Sequence, residues 1–87
     1  MHKDFVITHD AGLHARPATL LVAKANEFDN AIRLTYEDTT IDLKSIMGLL
    51  SLGVPKGSLV RVEVDGDNAA KVLEAISYTI SEINAGS

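Results

Sequence analysis

Leu59-Val60-Arg61-Val62-Glu63-Val64-Asp65 alternates without a break. Successive side chains of an extended chain point to opposite faces, so Val60, Val62 and Val64 share one side while Arg61, Glu63 and Asp65 share the other. A strand with that pattern belongs to a sheet with one buried and one solvated face. Helices that cover such a sheet must all lie on the same side. The next segment supplies one. Asp65-Gly66-Asp67 reads as a turn and Asn68 as an N-cap, and Ala69, Val72, Leu73, Ile76, Ile80 and Ile83 then form a long core-facing stripe.

Toward the amino terminus the same two periods recur. Asp4 to Thr8 predicts a strand with Phe5 and Ile7 on one face. A helix is expected from about Arg16 to Glu27, with Pro17 in its first turn and Ala18, Leu21, Val22, Ala25 and Phe28 at helical spacing. Ile32, Leu34 and Tyr36 alternate with Arg33 and Thr35. After the polar Glu37-Asp38-Thr39, Ile41 and Leu43 form a third strand, so a hairpin is expected. A short helix follows, capped by Ser45 and stopped by Gly53 and Pro55. The order is strand, helix, strand, strand, helix, strand, helix. It describes one α+β domain over residues 1–87, without repeat or linker.

Composition narrows the function. A chain of 87 residues folds with roughly 60–65% of its surface buried. Its 46% hydrophobic content covers one sheet face but leaves little for a deep substrate pocket. A net charge of −4 argues against direct nucleic-acid binding, and the absence of cysteine excludes disulfide and thiol chemistry. No apolar run approaches the ~20 residues of a membrane span, and no signal peptide is recognisable. A cytoplasmic domain without membrane insertion is expected.

Gly12-Leu13-His14-Ala15-Arg16-Pro17-Ala18 sets an imidazole and a guanidinium two positions apart at a helix start. The first amides of a helix lack intrahelical acceptors, and the dipole places about half a positive charge there. Negative charge on His14 would meet those amides and Arg16. That is the chemistry of a phosphoryl-carrying histidine; the plainer reading is a cap or a solvated surface residue. His2 and His9 read as surface residues. No metal-ligand set is visible, and no cofactor is expected.

The short middle helix, Ser45-Ile46-Met47-Gly48-Leu49-Leu50-Ser51-Leu52, is apolar around most of its circumference. Leu49 and Leu52 suffice to anchor it. Ile46, Met47 and Leu50 are then either further core or an exposed docking patch. Ser45 is an N-cap on either reading.

Together these segments resemble the HPr family, the histidine-containing phosphocarriers of the bacterial sugar phosphotransferase system. The first heptapeptide is similar to the family's active-site signature. Lys44-Ser45-Ile46-Met47-Gly48-Leu49-Leu50-Ser51-Leu52-Gly53 is similar to its second signature, in the Gram-positive form. The resemblance implies an open-faced β-sandwich, βαββαβα, with a four-stranded antiparallel sheet and three helices on one face. It implies a phosphoryl carrier rather than a stand-alone enzyme. His14 would accept the group from enzyme I at Nδ1, as pros-phosphohistidine, and pass it to IIA domains of sugar permeases. Arg16 would stabilise the phosphoryl oxygens. Ser45 would be phosphorylated by HPr kinase/phosphorylase, giving a corepressor for a catabolite-control transcription factor in carbon catabolite repression. The alternative is a mainly regulatory binding module acting through Ser45. Thr19 and Leu20 would join Ile46, Met47 and Leu50 in the partner surface of a monomer. One departure stands out: many relatives carry Ser, Thr or Asn before the motif glycine, where this chain has Ala11.

Overall fold

In the computed structural model, which describes residues 1–86, Val62 lies at the middle of a four-stranded antiparallel sheet. It pairs with Lys3 on one side and Leu34 on the other. The elements in chain order are β1 (His2–Val6), α1 (Ala15–Ala25), β2 (Ile32–Tyr36), β3 (Thr39–Asp42), α2 (Ile46–Leu52), β4 (Leu59–Val64) and α3 (Ala69–Asn84). The strand order across the sheet is β1-β4-β2-β3. The first and last strands in sequence are therefore neighbours, and the expected hairpin joins β2 to β3.

Val60, Val62 and Val64 are buried beneath the helices together with Ile32 and Leu34. From α1 the core receives Ala18, Leu21, Val22 and Ala25, and from α3 it receives Val72, Leu73, Ile76, Ile80 and Ile83. The other sheet face is polar. Arg61 donates to Asp4 across β4 and β1 at 2.8 Å, Arg33 donates to both carboxylate oxygens of Asp65, and the Thr35 and Thr40 hydroxyls meet at 2.7 Å. Cross-strand pairs of this kind support the sheet without a second covering layer.

Element boundaries differ from the sequence expectation where side-chain pattern and backbone pairing part company. The first strand ends at Val6, not Thr8: Ile7 turns inward as core, and the Thr8 amide bonds to Asn84 Oδ1 instead of a strand. The third strand begins at Thr39 and stops before Leu43, which is buried beyond its end. Asn68 precedes α3 as expected but does not cap it through its side chain. It sits in the left-handed region (φ 60°), and only its carbonyl serves the helix, accepting the Val72 amide at 3.1 Å.

Candidate functional site

Two glycine-dependent contacts seat the loop that carries His14. Gly12 has φ 60°, and a Cβ there would overlap the Val54 carbonyl oxygen and crowd Pro55. The neighbouring Leu13 is fully buried and donates its amide to that same Val54 oxygen at 2.9 Å. Only glycine permits the backbone to pass so close in that conformation. The loop is thus fastened to the segment preceding β4, and the next residue emerges at the surface.

His14 is that residue. It is exposed, extended (φ −119°, ψ 160°) and stands as N-cap of α1, with no hydrogen bond from its own side chain. Ala15 then takes a left-handed conformation (φ 50°) before the helix settles, a geometry that costs about 1–2 kcal/mol outside glycine. No intramolecular acceptor takes the Ala15 or Arg16 amide among the described residues. Pro17 occupies the first turn, where it has no amide to leave unpaired, and is buried.

Arg16 is exposed and makes no ion pair among the described residues. Lys24, by contrast, is bonded to Glu27 at 3.1 Å, so Arg16 is the freer cation of the helix. His14, the Ala15 and Arg16 amides and the Arg16 side chain come from three consecutive residues at a helix start, whose positive end favours a dianion on the histidine.

The middle helix answers the question its sequence left open. Only Leu49 is fully buried in it, and Leu52 is half-buried. Met47 is 74% exposed, and Leu50 and Leu20 each show about a third of their surface at 36% and 37%. Ile46 falls between the two readings: it is half-buried and packed against the core, so the exposed patch centres on Met47. Thr19 is exposed, its hydroxyl donating to the Ala15 carbonyl at 3.1 Å. α1 and α2 pack together, while Leu20 lines a groove with Tyr78, Thr79 and Glu82 of α3.

Ser45 caps α2 as read from sequence. Its Oγ accepts the Gly48 amide at 3.0 Å and its carbonyl accepts the Leu49 amide at 3.1 Å.

The chain matches the model of the phosphotransferase-system HPr component phosphorylation site over residues 1–82. It belongs to the HPr family. Among solved structures it is similar to HPr of Thermoanaerobacter tengcongensis (32% identity, 100% of this chain and 98% of that one, TM-score 0.93). It is likewise similar to the histidine-containing phosphocarrier protein of Mycoplasma (30% identity, 97% and 96%, TM-score 0.92). A third relative is Crh, the catabolite repression protein of Bacillus subtilis, described as a domain-swapped dimer (36% identity, 85% and 85%, TM-score 0.73). An HPr fold with a histidine at the head of α1 accounts for the whole described chain.

Sequence reasoning passed over one residue of the loop. His9, read as a surface side chain, accepts the Ala11 amide on Nδ1 at 3.0 Å. Nothing in local periodicity marks such a contact.

Proposed function

We propose that this chain is a phosphocarrier in which His14 takes a phosphoryl group from phosphorylated enzyme I and gives it to IIA domains of sugar permeases. The observation that carries the reading is the exposed His14 at the head of α1, with Arg16 two positions on and, among the described residues, no acceptor for the Ala15 and Arg16 amides and no ion pair for Arg16. A neutral imidazole uses its Nδ1 lone pair to attack phosphorus in line. The N–P bond forms as the donor's bond to phosphorus breaks. Arg16 and the Ala15 and Arg16 amides receive the charge of the phosphoryl oxygens, a stabilisation that exists only once the group has arrived. The transfer to IIA is the same step reversed on a new acceptor.

Met47, Leu50, Leu20 and Thr19, with the edge of Ile46, form the partner-binding surface. Flexible, polarisable Met suits a surface that meets several differently shaped partners in turn. Ser45 is the regulatory position: phosphorylation by HPr kinase/phosphorylase would put a dianion beside this patch and create the form read by a catabolite-control transcription factor. The similarity to Crh supports a second reading, in which regulation through Ser45 is the main role. A cytoplasmic monomer, one domain over residues 1–87, fits the first reading, whereas the Crh relative behind the second is described as a dimer.

Incubation with enzyme I and phosphoenolpyruvate tests the first reading. The expected product carries one acid-labile, base-stable phosphate that maps to His14. Labelling at Ser45 by kinase and ATP, with none from enzyme I, would leave only the second.

A further inference from the structure

The loop between β1 and α1 is anchored at several points, and one of them depends on an imidazole. Asn84 accepts the Thr8 amide at 2.8 Å and donates to the Val6 carbonyl at 2.9 Å, so α3 grips the end of β1. Lys56 donates to Asp10 Oδ1 at 2.8 Å. Between these, Ala11 has no polar side chain, and its amide is taken by His9 Nδ1 at 3.0 Å. The His9 carbonyl takes the following amide, that of Gly12, at 2.9 Å. One residue thus supplies both acceptors of the turn that delivers Gly12 to Val54 and His14 to the surface.

We propose that His9 is a positioning residue for the site, its neutral imidazole holding the His9–Gly12 turn that places His14. The proposal rests on the phosphocarrier reading for its kinetic consequence and on geometry alone for its structural one. An imidazole accepts at Nδ1 only when neutral with its proton on Nε2. A protonated ring presents a donor to the Ala11 donor, and the bond is lost. The charged group shown to act on the ring is Asp10, itself paired with Lys56, whose hydrogen bond holds the Asp10 carboxyl below its ordinary range with a further contribution from His9. Their pair stays intact across the range where histidine titrates, so the His9 bond is the anchor that proton uptake releases.

The test uses 15N-labelled full chain and the His9→Ala and His9→Asn variants. Long-range imidazole spectra at mildly alkaline pH are expected to show His9 as the Nε2–H tautomer. On acidification the Ala11 amide resonance should move with the midpoint of the His9 ring. His9→Ala should speed amide exchange at Ala11 and slow phosphoryl uptake from enzyme I about fivefold, the factor one net hydrogen bond carries. His9→Asn, whose short side chain can accept the amide two residues on, should restore most of the rate and free the Ala11 amide resonance from its movement on acidification. A ring in the Nδ1–H tautomer, an Ala11 amide indifferent to the His9 titration, or a His9→Ala protein at the wild-type rate would overturn the proposal. The spectra need no enzyme I. If the wild-type chain took no phosphate, the phosphocarrier reading would fall. The placing of His14 would then be judged by amide exchange over Gly12–Ala15, where equal rates in wild type and His9→Ala would sink it.

Discussion

The Ser45 hydroxyl oxygen lies 3.0 Å from the Gly48 amide nitrogen, and a Cβ on Gly48 would stand only 3.3 Å from that oxygen. The cap and the glycine are therefore one feature: a larger residue at position 48 crowds the group that starts the helix. Negative charge at Ser45 suits the amides it already faces, yet it sits beside Ile46 and Met47 at the edge of the exposed patch.

Ser45→Ala should lose about 1 kcal/mol through the missing cap, while Ser45→Asp should keep or slightly raise stability. Urea denaturation separates them. The same Ser45→Asp protein should show a raised apparent KM as substrate of enzyme I with little change in kcat. A clear loss of stability, or a defect confined to kcat, would contradict this electrostatic account.

His14→Ala should abolish phosphoryl uptake and change stability by no more than about 0.5 kcal/mol, because the ring is exposed and unbonded. Arg16→Lys keeps the charge but loses the planar fork, so uptake should slow while the melting temperature holds. Equal rates for Arg and Lys would mean that a point charge is enough.

Gly12→Ala should be the most damaging single methyl in the loop. It meets both a left-handed φ and the Val54 oxygen, at a joint cost of roughly 2 kcal/mol or more. Calorimetry on this variant beside Gly53→Ala separates the two causes: Gly53 shares the left-handed φ (61°) but has open space around its Cβ position.

Met47→Glu should weaken binding to enzyme I and IIA at almost no cost in melting temperature, since Met47 is 74% exposed. Two positions along, Leu49→Ala removes a fully buried side chain and should cost about 2–5 kcal/mol. Titration calorimetry and thermal melts on the pair distinguish surface from anchor within one helix. A large melting shift for Met47→Glu would place that residue in the core.

The open sheet face should set part of the acid response. The hydrogen bond from Arg61 holds the Asp4 carboxyl below its ordinary value of 3.8, and Arg33 does the same for Asp65. Protons bind the unfolded chain more readily than the folded one in that window. The stability these pairs contribute is therefore present above about pH 4 and lost as pH falls through the depressed folded values. Arg61→Gln and Arg33→Gln should flatten the stability curve below pH 4, and chemical denaturation across pH 2–6 reads the slope. An unchanged slope would mean that the exposed pairs are screened to nothing.

Much of the site was legible because its parts are contiguous in sequence. His14, Arg16 and Pro17 lie within four residues of one helix start, and Ser45 within four of its Gly48 donor. Local spacing alone sets such relationships. The depth of Ile46 stayed open between core and docking patch because a seven-residue helix, apolar on most sides, does not declare how deeply it is seated. His9 was missed because its acceptor role depends on the path of a turn, and Ala15 because alanine does not advertise a left-handed conformation.

By itself the sequence determined the order of elements, the one-sided sheet and the residues at each helix start. These follow from periods of two and 3.6 and from capping chemistry, which act over a few residues. Only the tertiary structure decided that β4 enters between β1 and β2, that Gly12 and Leu13 lie against Val54, and that Asn84 closes the end of β1. Those contacts join residues from 24 (Tyr36 and Val60) to 78 positions apart (Val6 and Asn84). Their energy comes from close approach and from backbone groups that would otherwise be buried unpaired, and no local pattern of side chains carries that information.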